Sequence, residues 1–287
     1  MAATTTHVAR RQRVPASTIL RHAVISFFML LIILPLAWVL LLSIKSIPDA
    51  YTGELWPKNF DFSHYGYVLS KIQTLPRNML NSVVVTLATV VITTICAVLA
   101  GYALVHVRLP GRVAIILLLT ASLFFPTRLI SLIAIFEIQR QLGLINTTGG
   151  LILPYVTLNL AISVLIMRGI FQQIPGELVE ASRIDGCGPW RTLLQVLLPL
   201  TVNGVVVVAI VNFVTAWGEY LLAATLTNDQ IVRTMPVVLA SASGGMGQWA
   251  WPRIAAVYVI VVAPGILIFA LLQRLYLKGL TEGAVKL

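Results

Sequence analysis

The residues AVISFFMLLIILPLAWVLLLSI, numbered 23 to 44, contain no charged side chain. An α-helix rises 1.5 Å per residue, so about 20 apolar residues are needed to cross roughly 30 Å of bilayer hydrocarbon. This stretch is therefore predicted to be a transmembrane helix. Arginines precede it, as in a signal peptide, but the run is longer than the ~7–15 apolar residues of a cleavable signal and no A-x-A sequence follows. We therefore expect it to be retained.

The composition of the whole chain is that of a membrane protein. Of its 287 residues, 58% are hydrophobic and 10% are charged. Soluble domains are about 45–50% apolar and about 25% charged, so a soluble enzyme, a disordered chain and a disulfide-rich secreted module are excluded. The net charge of +10 does not indicate nucleic acid, because the basic residues flank apolar runs, where they orient a membrane protein. Cys96 and Cys187 show no metal or disulfide spacing.

Six apolar runs are predicted to span the membrane. They lie at 23–44, within 79–105, at 113–136, within 148–167, from about 200 to 222, and at 254–272. Arg128 interrupts the third run, and a charge at the bilayer centre costs on the order of 2.5–3.5 kcal/mol. We therefore expect Arg128 to lie near a helix end or to face protein or water.

The basic residues predict the orientation of these helices. If both termini share one side, that side has twelve of the 20 Lys and Arg residues but four of the 10 acids. Because positive charge stays on the cytoplasmic side, both termini are expected to be cytoplasmic. The chain then divides into an N-terminal tail, 1–22, a six-helix membrane domain, 23–277, with a cytoplasmic loop at 172–199, and a C-terminal tail, 278–287. The predicted fold is an all-α integral membrane protein.

The loop between the fourth and fifth spans has the strongest local pattern. Residues 174–199 read IPGELVEASRIDGCGPWRTLLQVLLP. Pro175 suits a first helical turn, the glutamates that follow favour the N-terminal end of the helix dipole, and Gly186 is a typical stop. Pro189 then begins a second helix. The loop is predicted to form a short helix, a break and a helix that returns to the membrane.

The first helix of this loop is predicted to bind another protein. Leu178, Ala181 and Asp185 share one helical face, and Ser182 borders it. The small side chains allow close approach, and the carboxylates of Glu180 and Asp185 are available to a basic partner. The alternative is an amphipathic helix on the membrane surface, but such helices are usually rich in Lys and Arg, whereas this one is acidic.

The same loop resembles a known signature. Glu180-Ala181-Ser182, three residues, Gly186, nine residues, Val196, one residue and Leu198-Pro199 are similar to the EAA-x3-G-x9-I-x-LP motif of permease subunits of bacterial ABC importers. Ser182 replaces Ala and Val196 replaces Ile. Further segments resemble the MalG-like carbohydrate subfamily: QLGLINT at 141–147, GLILPY at 150–155, WGEY at 217–220, RTMP at 233–236 and GLTEGAVK at 279–286.

This resemblance implies a function and a set of partners. The chain would form half of the path for a sugar across the bacterial inner membrane, with a second homologous permease subunit, two ATPase subunits and an extracytoplasmic solute-binding protein. ATP and Mg would bind the ATPase, so this chain would be non-catalytic and would hold no cofactor or metal. The ATPase would dock on Glu180, Ala181, Ser182, Asp185 and Gly186, and its closure would move the membrane helices.

Trp217, Glu219 and Tyr220, near the outer half of the fifth span, are the candidates for the solute path. Sugars stack on aromatic faces, and an ionisable group at membrane depth suggests a function, although Trp and Tyr are also common interface anchors. The glycine-rich segment 241–251 is expected to be an external loop, either a plain connector or a contact with the binding protein.

Alternatives remain at two levels. A di- or oligosaccharide is the expected solute, and a polyol or glycerol phosphate is the alternative. An ion-coupled secondary transporter would show inverted repeats and acids within the membrane, and no convincing repeat is evident. A membrane-embedded enzyme is the weakest alternative, because the sequence has no HExxH motif, no GxxxxGK[ST] phosphate loop and no other catalytic constellation.

Overall fold

The computed structural model describes residues 16–124, 127–244 and 249–284, and within these ranges the regular structure is helical. The predicted all-α class is therefore confirmed for the described part of the chain. In chain order the helices are α1 (Ala16–Ser43), α2 (Ile47–Ala50), α3 (Ser63–Lys71), α4 (Leu75–His106), α5 (Arg112–Phe124), α6 (Thr127–Gln141), α7 (Thr148–Phe171), α8 (Gly176–Ile184), α9 (Pro189–Leu200), α10 (Val202–Trp217), α11 (Leu221–Leu226), α12 (Met235–Gly244) and α13 (Trp251–Ala284).

Four of the described helices are long and apolar enough to cross a membrane. They are α4, α7 and the segments Leu20–Ser43 of α1 and Trp251–Leu271 of α13. The fifth predicted span, from about 200 to 222, falls mainly on α10, which forms a bent pair with α9 at an angle of 80°. Four of the six predicted spans are thus single long helices, and the fifth is the second helix of this pair.

The third predicted span, 113–136, is not a single helix. Helix α5 ends at Phe124 and α6 begins at Thr127. The 13 residues of α5 rise only about 20 Å, which is shorter than the hydrocarbon core. The sequence has proline at position 126, which lacks a backbone donor and interrupts a helix ladder. Arg128 lies in the first turn of α6, so its expected position near a helix end is confirmed.

The helix α4 is the centre of the bundle and packs against α7 and α10. Gly101 of α4 lies against the backbone of α7, because a Cβ added there would be 2.8 Å from Met167 Cβ and 3.0 Å from Arg168 N. Small residues at such crossings let membrane helices approach closely. One hydrophobic cluster, named here the inner cluster, surrounds this contact: Ala97, Val98, Tyr102, Leu104, Val164, Met167, Phe171, Val179, Leu193, Leu197 and Val208.

A buried polar pair joins α7 and α10 beside the inner cluster. The Asn212 amide donates to Ser163 Oγ at 3.0 Å, and Ser163 Oγ donates to the Asn159 carbonyl at 2.8 Å. All three side chains are buried. Hydrogen bonds between helices in hydrocarbon satisfy groups that lipid cannot, so this pair fixes the relative register of the two helices.

The segment between α1 and α4 folds onto the end of α1. Lys45 is buried, its ammonium group donates to the Glu54 carbonyl, and it lies 4.7 Å from the centroid of the Trp38 ring. His64 Nε2 donates to the Lys45 carbonyl at 2.8 Å. The buried cation is thus held by a carbonyl and an aromatic face.

The predicted division into tails and membrane domain does not coincide with helix ends. Helix α1 begins at Ala16, within the segment assigned to the N-terminal tail, and α13 continues to Ala284, through most of the segment 278–287. Residues 1–15, 125–126, 245–248 and 285–287 lie outside the described residues, and these include the middle of the predicted glycine-rich external loop.

The contact at Gly101 leads to a stability prediction. The substitution Gly101→Ala places a methyl group against Met167 and is expected to destabilise the bundle by about 1–3 kcal/mol through overpacking. Heating the purified chain in detergent and measuring the remaining monodisperse fraction by size-exclusion chromatography should show a midpoint lowered by several degrees.

The matched control is Gly169→Ala in α7, where an added Cβ meets open space in the described part of the chain. Alanine favours a helix interior over glycine, so the midpoint of this variant should be unchanged or slightly raised. Equal midpoints for the two variants would contradict a tight crossing of α4 and α7.

Candidate functional site

The predicted docking helix is formed by α8. It runs from Gly176 to Ile184, with Pro175 at its N-terminal boundary. Its C-terminus closes with two backbone hydrogen bonds, from Gly186 N to Arg183 O at 3.0 Å and from Cys187 N to Ser182 O at 2.9 Å. Gly186 has φ +77°, a left-handed conformation that suits glycine. The predicted helix and its stop are therefore confirmed.

One side of α8 is fixed to the membrane domain through α9. Val179 and Ser182 are its buried residues. The Ser182 hydroxyl donates to the Val179 carbonyl at 2.7 Å and accepts a hydrogen bond from the Thr192 hydroxyl at 3.1 Å. Ser182 was predicted as part of the docking surface, but the structure places it between the two helices, where a small polar side chain allows their close approach. Its contacts are within this chain.

The opposite side of α8 is free in the structure of this chain. Glu180, Ala181 and Asp185 are exposed there, as is Gly186. Ile184 is 87% exposed and Trp190, at the start of α9, is 66% exposed. Large exposed apolar side chains close in sequence to exposed carboxylates are typical of a protein-binding site.

Sequence reasoning missed Ile184 and Trp190. The helical pattern offered a signal, because Ile184 does not fall on the same side as the buried pair Val179 and Ser182 and has no apolar neighbour one turn earlier at Glu180. We define the docking surface as Glu180, Ala181, Ile184, Asp185, Gly186 and Trp190.

The docking surface is connected to the transmembrane helices through packed side chains. Val179 of α8 and Leu193 of α9 belong to the inner cluster, together with Tyr102 of α4 and Phe171 of α7. The Tyr102 hydroxyl also donates to the Pro189 carbonyl at 3.2 Å. A displacement of α8 therefore acts on α4, α7 and α9 together, since close-packed interiors transmit strain.

The three solute-path candidates have different environments. Trp217, at the end of α10, stacks on Phe213 with ring centroids 5.7 Å apart and packs against Gly265 of α13. It lines an apolar groove of about 240 Å³ between these helices. Tyr220 is exposed. Trp217 and Tyr220 are therefore close in sequence, but Trp217 packs between two helices whereas Tyr220 is exposed.

Glu219 has a structural role that the sequence did not reveal. Its side chain is buried, and its two carboxylate oxygens accept hydrogen bonds from Leu222 N and Ala223 N, each at 3.1 Å. These amides begin α11, so the carboxylate caps that helix and satisfies donors that would otherwise be unpaired. The sequence made Glu219 a candidate for the solute path because it is ionisable at membrane depth, and did not reveal these backbone partners.

Comparison with known proteins identifies the family. Residues 8–282 match the family described as binding-protein-dependent transport system inner membrane component, to which the chain therefore belongs. The predicted resemblance to permease subunits of bacterial ABC importers and the predicted inner-membrane location are thus confirmed.

Individual relatives agree with this family. The trehalose transport system permease protein SugB of Mycobacterium tuberculosis is 34% identical over 257 residues, which cover 88% of this chain and 92% of the relative. The trehalose/maltose transport system permease protein MalG of Thermococcus litoralis is 31% identical over 255 residues, covering 88% and 91%.

A solved structure shows the same fold. A chain from the crystal structure of a bacterial ABC transporter involved in the import of the acidic polysaccharide alginate superposes with a TM-score of 0.76. The match covers 94% of this chain and 99% of that chain at 23% sequence identity.

The turn at Gly186 generates a prediction about α8. The substitution Gly186→Ala puts a Cβ on a left-handed residue, which costs roughly 1–2 kcal/mol. The two closing hydrogen bonds should then open more often, and the amides at 186 and 187 should exchange with deuterium about fivefold to thirtyfold faster. Hydrogen exchange of peptides covering this turn measures the effect.

The matched control is Gly188→Ala, two residues further on, where φ is −71° and an added Cβ meets open space in the described structure. Exchange at 186 and 187 should be unchanged in this variant. If both variants exchange at the wild-type rate, the left-handed turn does not hold the end of α8.

Proposed function

We propose that the chain is the permease subunit of an ATP-driven importer and forms half of the translocation path for a sugar. The observation that carries this proposal is the docking surface, an exposed acidic and apolar face on a helix that is fixed to the transmembrane core. The names of SugB and MalG specify trehalose and maltose, which supports a di- or oligosaccharide as the solute.

In the proposed mechanism, a separate ATPase subunit binds α8. The carboxylates of Glu180 and Asp185 contact basic groups of the ATPase, and Ile184 and Trp190 enter an apolar cleft on it. Two ATPase subunits close on ATP and Mg, carry the hydrolysis, and displace α8 with them. The inner cluster transmits this displacement to α4 and α7, so that access to a path between two permease subunits alternates as a rigid-body switch.

The proposed topology follows from the same mechanism. The end of the bundle that carries α8 faces the cytoplasm, and α5 and α6 together complete a sixth crossing. Both termini then lie on the cytoplasmic side, and the segment that contains α2 and α3 lies on the outer side, where a solute-binding protein delivers the sugar. A secondary transporter working alone would have no use for an exposed Ile184 and Trp190.

The solute path is proposed to include the aromatic side chains near the outer end of α10. Tyr220 is accessible for stacking on a sugar face, and Trp217 lines the neighbouring groove. Glu219 acts on the path through the backbone, because its carboxylate fixes the start of α11, next to Tyr220.

The docking proposal predicts the effect of reversing one charge. In Glu180→Lys the carboxylate offered to the ATPase becomes an ammonium group, so the nucleotide-hydrolysing activity that co-purifies with the tagged chain from its native membrane should fall at least tenfold. Membrane insertion should be unchanged, because Glu180 is exposed.

The control is Glu54→Lys, which makes the same charge change at an exposed residue between α2 and α3, in the segment that folds onto the end of α1. This variant should retain most of the co-purifying activity. If Glu180→Lys retains as much hydrolytic activity as the control, the ATPase does not dock at this position.

The solute-path proposal predicts a ring-dependent effect at Tyr220. Aromatic stacking contributes about 0.5–1.5 kcal/mol. Tyr220→Ala should therefore raise the concentration of trehalose or maltose needed for half-maximal uptake by about twofold to tenfold, whereas Tyr220→Phe should stay close to wild type. Radiolabelled uptake by cells that express the complete transporter measures both.

The same assay tests Glu219→Gln, which can accept only one of the two hydrogen bonds from the start of α11. Uptake should change while ATPase co-purification stays constant, because Leu222 and Ala223, the partners of Glu219, belong to a different hydrophobic cluster from Val179 of α8. Unchanged uptake in this variant would remove Glu219 from the path, and equal values for Tyr220→Ala and Tyr220→Phe would remove Tyr220.

A further inference from the structure

A basic basin lies beside α8 at the same end of the bundle. It has a volume of about 430 Å³ and is formed by the connection between α4 and α5: Val105, His106, Val107, Arg108, Leu109, Pro110 and Arg112. Because α4 is long and apolar enough to span the membrane and ends at His106, this basin lies where the hydrocarbon gives way to water.

The two charged residues that line the basin are both basic. Arg108 and Arg112 line it, and the positive charges of Arg112 and of Arg183, on α8, both act on His106. The segment 105–112 contains no acid, and among the described residues none of these arginines forms an ion pair with a carboxylate. Cations that converge without a carboxylate favour an anionic ligand.

The wall of the basin also contains a buried nitrogen. His106 Nε2 is inaccessible and has no hydrogen-bond partner within the described residues. The ring is held in place by Tyr102 and Phe171, with centroids 5.6 Å and 6.1 Å away. The imidazole is therefore positioned by packing rather than by a polar partner in this chain.

The apolar surroundings distinguish between sources of the anion. Leu109 and Pro110 line the basin itself, and Val113 and Leu117 continue from it along one side of α5, 70% and 62% exposed. Residues i and i+4 are neighbours on a helix, so an apolar strip leads from the basin along the membrane helix. A free anion would leave this strip uncovered, whereas the acyl chains of a lipid would cover it.

We propose that the basin binds the phosphate of an anionic glycerophospholipid, with Arg108 and Arg112 as its cationic contacts and the lipid chains along α5. Basic pockets between membrane helices are known sites for anionic headgroups. Leu109 of the basin packs against the inner cluster, to which Val179 of α8 belongs, so a bound lipid would link the docking helix to the membrane surface; this last consequence rests on the proposed function, whereas the site itself does not.

The proposal is tested by lipid retention on the full chain. Native mass spectrometry of the detergent-purified chain, incubated with equal amounts of phosphatidylglycerol and phosphatidylcholine, should show preferential retention of phosphatidylglycerol. The double variant Arg108→Gln with Arg112→Gln should reduce this preference about 25-fold, because each basic residue near an anionic lipid contributes about fivefold in affinity.

Two control variants separate charge from folding. Arg191→Gln removes an exposed charge in α9, outside the basin. This variant should keep the preference for phosphatidylglycerol within about twofold of wild type. Arg108→Lys with Arg112→Lys keeps both charges and should keep most of the preference. If the lysine pair loses as much as the glutamine pair, or if the Arg191 variant loses as much, the basin is not the site.

Inorganic phosphate and the ATPase provide the remaining arms of the test. Displacement of the bound lipid by excess inorganic phosphate would show that the basin takes a free anion, and would overturn the lipid assignment. Loss of ATPase co-purification in the glutamine pair with unchanged lipid preference would assign the basin to the ATPase contact instead. The lipid measurement uses the chain without an ATPase, so its failure leaves the proposed function untouched.

Discussion

The attachment of α8 to α9 is the contact on which the rest of the docking site depends. A nine-residue helix is not stable alone in water, so α8 exists because Val179 is buried in the inner cluster and Ser182 is hydrogen-bonded to Thr192. The same contact decides which residues remain outside. With Val179 and Ser182 turned toward α9, the carboxylates and Ile184 are directed away from the bundle.

The fold could be predicted from the sequence wherever hydrophobicity and helix-end signals act alone. The long spans at α1, α4, α7 and α13 follow from uninterrupted apolar runs, and α8 follows from Pro175 and Gly186. The division of the third predicted span into α5 and α6 could not be predicted, because an apolar run does not show where a helix breaks. The split between α5 and α6 depends on how a proline and a charge, two residues apart in the sequence, compete with hydrophobicity.

The site was predictable in position but not in its details. The signature places Ser182 next to Glu180 and Ala181, and only the packing of α8 on α9 shows that this serine faces inward. Ile184 and Trp190 are ordinary apolar residues in the sequence, and their exposure is a property of the tertiary structure. Glu219 illustrates the opposite case, since a conspicuous charge near a predicted span proves to be the cap of a short helix whose existence the sequence did not signal.

One segment of α9 has a mechanical consequence. Between Thr192 and Leu197 the backbone is a π-helix, in which hydrogen bonds reach one residue further than in an α-helix and the winding is wider. Such windings are rare and frequently lie at functional sites. In the proposed mechanism a push on α8 reaches α10 by two routes, along the backbone of these six residues and through Val208 of α10, which belongs to the inner cluster together with Val179 of α8.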